Sequence, residues 1–371
     1  MLENFLQPID TTLFSDIEDL ETYQVGRHIE IFLKGKLFPI LKNVQIAIIG
    51  VGVKEANEVR QAFYTLSFQF KHLKMVDLGN LRKATVDVLT PVIKELLDSD
   101  ILPIIVGEHQ NLTTAQYQAY HLREQLVNMV LVDKSIDFTF DKVRASRSPY
   151  FLNRILGQEK SYLLHLSLIG YQKHFVNPRA LQLFQEQQFD YVRLGHIKDN
   201  MKELEPIIRD ADFLSFDMST IRQSDAPASI FPSPSGLFSE QACKIAHYAG
   251  LSDKLSSIGF YNFHHSTDNN LQTAHLIAQM IWYFLDGFAS RKGDYPLNQS
   301  GLVEYIVDFK TSNYQISFWK STRSDRWWMQ VPVKNKKYDR HRLVPCSYND
   351  YKMASREELP ERLLNAYSRL A

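Results

Sequence analysis

Four short stretches of the chain place acidic, imidazole or amide side chains directly after runs of aliphatic and β-branched residues. Gly107-Glu108-His109-Gln110 follows the run at 102–106, and Asp133-Lys134-Ser135-Ile136-Asp137 follows the run at 129–132. Asp217-Met218-Ser219 follows the run at 213–216, and Asn262, with His264 and His265 just beyond, follows the run at 257–261. In a parallel sheet, groups that follow strands gather along one edge, where loops and helix N-termini converge on ligands. Three carboxylates (Asp133, Asp137, Asp217) and an imidazole (His109) drawn from adjacent strand ends would bind a hard, oxygen-seeking cation. Mn²⁺ or Mg²⁺ suits that donor set better than a soft metal. A single strand-end Asp is more often a helix cap or a loop-solvating group, so joint placement carries the metal reading.

The elements that would position these groups follow a regular alternation. Strand-like runs lie at 44–49, 74–78, 102–106, 129–132, 162–170, 191–194, 213–216 and 257–261. Segments of helical period at 55–70, 86–97, 113–125, 178–187, 240–249 and 273–288 separate or follow them. Short apolar strands alternating with longer helices imply βαβ units with right-handed crossovers, hence a parallel sheet of about eight strands. The pattern alone is compatible with a closed barrel and with an open three-layer sandwich. Beyond residue 290 the texture changes. Strands at 303–309 and 314–320, joined by a Thr-Ser-Asn turn at 311–313, lead into Trp327-Trp328-Met329-Gln330-Val331-Pro332 and a helix at 356–370. The division expected is an N-terminal segment (1–40), an α/β domain (41–290) and a small C-terminal β/α extension packed on it (291–371).

Two further motifs invite chemistry and are better read as structure. Gly50-Val51-Gly52 ends the first long strand but lacks the third glycine of a dinucleotide fingerprint and the Gly-Lys-Ser/Thr of a P-loop. Trp327-Trp328 beside Arg323 and Arg326 could form a stacking platform for a ligand, and reads better as an aromatic anchor for the tail.

Composition narrows the class. Lys and Arg total 42 and Asp and Glu total 42, so no global field draws the chain to nucleic acid or an anionic membrane. Two cysteines, Cys243 and Cys346, are too few for a disulfide framework or a thiolate zinc site, and fit a reducing compartment. The opening MLENFLQPIDTTLF has no basic start followed by an apolar core. The longest apolar run, 276–285, is interrupted by Gln279 and falls short of the ~20 residues that span a bilayer. A cytoplasmic protein, with neither nucleic acid nor membrane as partner, is expected.

The strand-end motifs, in this order, resemble the three signatures of the ureohydrolases, the family of arginase, agmatinase and formimidoylglutamase. Those signatures read Gly-Gly-Asp-His-Ser, Asp-Ala-His-x-Asp and Ser-x-Asp-x-Asp followed by Ala-Pro-Gly. Here they correspond to Gly107–Gln110, Asp133–Asp137 and Ser215–Ser219, with Asp225-Ala226-Pro227-Ala228 and Gly236-Leu237 beyond. Ser146-Arg147-Ser148-Pro149-Tyr150 resembles the Ser-Gly-Thr-Pro-Phe segment of formimidoylglutamases, and Asn262 and Thr273-Ala274 also match. The resemblance covers roughly residues 40–290, and the tail around Arg323–Trp328 is similar to an extension in a bacterial formimidoylglutamase-like branch.

The resemblance implies an α/β/α three-layer sandwich around a parallel eight-stranded sheet. It also implies hydrolysis of a C–N bond in an amidino, formimino or guanidino compound by a hydroxide bridging two Mn²⁺ ions. His109, Asp133, Asp137 and Asp217 match the complete protein shell of one ion. Ser135 and Ser219 stand where the second ion needs an imidazole and a carboxylate. Neutral hydroxyls are weak ligands, so one Mn²⁺ rather than two, or none, is expected. By the same carry-over, Asp137 and Glu108 would be catalytic, Glu108 lying beside the His ligand, and Ser148 and Asn262 would contact substrate. Phe260 replaces the family's substrate-binding Glu; its ring could stack on a planar cation without supplying a charge-assisted hydrogen bond. His264 and His265 match no family position and are open as replacement ligands or acid–base groups. Relatives commonly form trimers or hexamers, so a homo-oligomer is expected. Three functions stay in competition: a metal-dependent C–N hydrolase, a single-metal enzyme of altered chemistry, and an inactive pseudoenzyme that binds or assembles.

Overall fold

A strand buried on both faces needs apolar side chains at nearly every position, and the central runs read from the sequence meet that need, whereas the run at 191–194, with Arg193, lies at the sheet edge and is only half-buried. The computed structural model describes residues 2–10, 20–296, 300–309, 314–333 and 335–370. Two short strands, β1 (Leu6–Gln7) and β2 (Glu30–Ile31), precede eight longer ones. These are β3 (Ile46–Val51), β4 (Met75–Leu81), β5 (Leu102–Gly107), β6 (Val127–Val132), β7 (Leu163–Tyr171), β8 (Asp190–Arg193), β9 (Phe213–Asp217) and β10 (Ser257–Tyr261). The eight pair in the order β4-β3-β5-β10-β9-β6-β7-β8, every neighbour parallel. β1 (antiparallel) and β2 (parallel) both pair with the outer side of β4. The order does not close, so the sheet is open rather than a barrel.

Helices cover both faces. They are α1 (Val53–Tyr64), α2 (Val86–Asp98), α3 (Thr113–Leu122), α4 (Phe151–Leu156), α5 (Pro178–Glu186), α6 (Leu194–Asp199), α7 (Leu204–Arg209), α8 (Ser239–Leu251) and α9 (Gln272–Ala289). Side chains alternate along a strand, so each strand feeds two cores. Ile46 and Ile48 pack with α1 and α6–α9, whereas Ala47, Ile49 and Val51 pack with α2–α5. The result is a three-layer α/β/α sandwich. No helix among the described residues is long and apolar enough to cross a membrane.

The helix read at 55–70 stops at Tyr64. The backbone beyond it is claimed by the N-terminal segment: Val25 N–H donates to Leu66 O (2.9 Å) and Phe68 N–H donates to Tyr23 O (2.7 Å). Hydrogen bonds to a distant segment outcompete helical continuation there, while Phe70 and Leu73 still reach the core. Gly50 is a packing residue rather than part of a nucleotide loop, because a side chain on it would meet Asn80, Ala56 and Arg60.

The tail forms an antiparallel sheet of β11 (Leu302–Phe309), β12 (Tyr314–Ser321), β13 (Trp327–Gln330) and β14 (Leu343–Cys346), followed by α10 (Tyr348–Ala354) and α11 (Glu361–Leu370). The Thr-Ser-Asn turn lies outside the described residues. The helix read from 356 begins only after Pro360, which cannot continue a preceding helix. Trp328 is buried under the guanidinium of Arg209 (α7), 4.5 Å from its ring. Arg209 also donates to the carbonyls of Trp327 (3.2 Å) and Cys346 (3.3 Å). The tryptophan pair is therefore an anchor.

Candidate functional site

The strands β5, β10, β9 and β6 lie side by side at the centre of the sheet, and their carboxyl ends bring the sequence motifs together. Register aligns Tyr261 of β10 with Asp217 of β9, and Phe216 with Val132 of β6, so Asp133 emerges beside Asp217. Each aspartate folds its own loop with one oxygen. Asp133 Oδ1 accepts from the Ser135 N–H (2.9 Å) and Asp217 Oδ1 accepts from the Ser219 N–H (2.6 Å). These short-range bonds are what Asp does at a turn or helix start.

The second oxygen of each points inward. Gln110 is nearly fully buried, and the two carboxylate oxygens facing one end of its amide assign the nitrogen to that end. Its nitrogen donates to Asp133 Oδ2 (2.9 Å) and Asp217 Oδ2 (3.0 Å) at once. Asn262 Nδ2 donates to Asp217 Oδ2 (2.6 Å), and Asn262 Oδ1 accepts from the Gln110 N–H (3.3 Å). Asn262 reaches this position with φ +63°, a left-handed conformation that Asn tolerates better than bulkier residues. The Ser135 hydroxyl lies 3.3 Å from both Asp133 Oδ1 and Asp137 Oδ1.

Three carboxylates in so small a volume resist ionisation. Burial, then the charges of Asp217 and Asp137, push the Asp133 carboxyl well above its usual range. Burial and Asp217 push Asp137 up to about 7. Burial also raises Asp217, against the hydrogen bonds it accepts from Ser219 and Asn262. The ammonium of Lys134 sits in the field of all three; burial lowers its pKa while Asp217, Asp133 and Asp137 hold it up. Lys134 Nζ donates to Phe231 O, in the loop after β9, and lies 5.1 Å from the Phe175 ring.

Of the ligands read from the sequence, Asp133, Asp137 and Asp217 come together and His109 does not join them. Its side chain is 58% exposed and its nearest ionic neighbour is Glu108, at 3.9 Å. Glu108 also approaches His264 (3.6 Å). His264 and His265 stack at the rim, where His265 approaches Glu58 (3.6 Å) and Glu55 (3.9 Å). Ser219 is buried, and Ser148 opens a 3-10 turn before α4 with its side chain outside the described ones. Phe260 corrects an expectation: it is buried in the core against Phe216 (6.3 Å) and cannot stack on a ligand. A core strand residue alternates away from the face its neighbours use.

The residues present do not fit the pair of Mn²⁺ ions implied by the resemblance. Among the described residues no three His, Cys, Asp or Glu side chains converge as on an ion. The Gln110 amide lies between the two most buried carboxylates. Gln110 and Lys134 were missed as functional groups; both sit inside the motifs, yet neither residue type announces a role in a carboxylate site.

Comparison with known proteins adds four findings. A family model described as the arginase family matches residues 49–286. The chain is similar to the formimidoylglutamase of Staphylococcus aureus (strain MRSA252), 23% identical over 294 residues that cover 74% of this chain and 91% of that protein. Among solved structures it resembles the formimidoylglutamase of Bacillus subtilis (TM-score 0.63, 17% identity, 74% of this chain and 93% of that one). It also resembles the Trypanosoma cruzi formiminoglutamase solved with Mn²⁺ (TM-score 0.60, 18% identity, 69% of this chain and 97% of that one).

Proposed function

The chain belongs to the arginase family, and we propose that it is a formimidoylglutamase-like, hydrolase-like member with an incomplete metal centre. On this reading its strand-end site recognises a small cationic amidino, formimino or guanidino compound, and the two-ion hydrolysis of the C–N bond is lost. One observation carries the proposal: Asp133, Asp137 and Asp217 come together at the strand ends and are bonded by the chain's own donors, Gln110, Asn262 and Ser135. Glu108, Glu55 and Glu58, which face His264 and His265, add acidic groups at the rim that suit a cation. Asp137, the more exposed of the three, is placed to accept hydrogen bonds from a planar N–H donor. A homo-oligomer is part of the same proposal, by analogy with the family.

A second reading, retained hydrolysis with one Mn²⁺, draws on the three aspartates standing at the family's carboxylate positions. The ion would supply a nucleophilic hydroxide at neutral pH. Incubating the purified full-length chain with excess Mn²⁺ and formimidoylglutamate, agmatine or arginine separates the two. Binding without release of formamide or urea is the expected result. Steady release of either product, abolished by Asp137→Asn, would overturn the proposal in favour of the second reading.

A further inference from the structure

We infer that Gln110 and Lys134 are internal surrogates for the metal: the Gln110 amide bridges its carboxylates and the Lys134 ammonium supplies a positive charge beside them. The inference rests on the incomplete-centre reading and goes beyond it, since a merely degraded site would leave buried oxygens without partners.

Three observations point the same way. The Gln110 nitrogen bridges Asp133 Oδ2 and Asp217 Oδ2, at 2.9 and 3.0 Å. These are inward oxygens, because the outward oxygen of each is already committed to its own loop. Next, Gln110 is held by its backbone as well as its side chain. Its N–H is bonded to Asn262 Oδ1, and Asn262 in turn donates to Asp217, so the bridging amide, Asn262 and one carboxylate form a closed ring of bonds. Finally, Lys134 supplies a positive charge from the residue next to Asp133. Its ammonium is held by the Phe231 carbonyl and pairs directly with none of the three carboxylates among the described contacts, acting on them through its field. That bond also ties down the loop after β9, which is pinned again by Ile230 N–H to Asn262 O (3.0 Å) and His264 N–H to Ala228 O (2.9 Å).

A cation entering this site must evict the amide from two carboxylates. It would leave a buried Gln side chain without acceptors, and like charge from Lys134 would remain beside the ion. The chain is thereby built to fold and to hold its loops without a metal.

The test is thermal melting and calorimetric Mn²⁺ titration of the full chain after EDTA treatment. It compares wild type with Gln110→Ser and with Gln110→Ser/Lys134→Ala. For wild type, neither EDTA nor millimolar Mn²⁺ should move the melting temperature, and no binding heat should appear. Removing the surrogates should create Mn²⁺ binding, at least ~10-fold tighter than wild type, the scale on which neighbours of metal ligands act. Mn²⁺ should then raise the variants' melting temperature. If folded variants gain no Mn²⁺ binding, the surrogate role falls and the incomplete centre stands. If wild type itself binds Mn²⁺ at micromolar levels with a rise in melting temperature, the incomplete centre falls too. The wild-type arm decides even if a variant fails to fold.

Discussion

At the scale of single residues, the site is governed by three carboxyl groups that share one small volume. The pKa of Asp137 is raised from 3.8 to about 7 in the folded chain. A group whose folded pKa lies above its unfolded value stabilises the fold fully below the unfolded pKa, and that contribution is lost as pH rises through the folded one. The window for Asp137 is therefore about pH 4 to 7, with stability falling as pH rises. Asp133 and Asp217 shift in the same direction. Asp137→Asn should flatten this part of the profile, so the gap in melting temperature between variant and wild type should widen in the variant's favour from pH 5 to pH 8. A constant gap across that range would contradict the account. The aspartates were legible in the sequence because three of them, with His109, follow apolar runs that a parallel sheet brings to one edge, although each alone has the commoner use of holding its own loop. Gln110 was not, since an amide is uninformative until its neighbours are known, and Phe260 was misread because its direction depends on strand phase.

Elements position these residues, and the sheet was the most legible part. All eight parallel strands were visible as apolar runs, whereas β1 and β2, two residues each, are too short to show a period. β14 was hidden by Pro345, which weakens a strand reading, and the end of α1 is set by pairing with a distant segment. Helix α1 is locked to β4 by a buried network that no local pattern reveals. Arg60 donates twice to Asp77 (2.8 and 2.9 Å), and also to Asn80, Asn57 and the Gly79 carbonyl, while the Tyr64 hydroxyl donates to Asp77. Removing one partner of such a pair leaves the other charge buried and uncompensated. Asp77→Ala should cost about 3–5 kcal/mol in urea unfolding. A cost under about 1 kcal/mol, the range of exposed pairs, would show that the network is not stabilising.

Across the whole molecule, the C-terminal sheet is joined to the sandwich near the strand that carries Asp217. Arg340, between β13 and β14, pairs with Asp212, the residue before β9, and Lys254, paired with Asp210 (2.8 Å) inside the sandwich, lies 3.5 Å from His341 of the tail. Together with Arg209 against Trp328, these bonds brace the central strand from its far end, while Lys134 and Asn262 brace the loops at its carboxyl end. The family fold is thus kept rigid around a site whose charge is met from within the chain. The central claim is that the buried oxygens of Asp133 and Asp217 are bridged by Gln110 rather than by an ion. Crystals of the wild-type chain grown in excess Mn²⁺, measured at the manganese absorption edge, test it most directly. The account predicts no anomalous peak between Asp133 and Asp217, and the Gln110 amide in hydrogen-bonding contact with both. One or two strong peaks there, with Gln110 displaced, would contradict it.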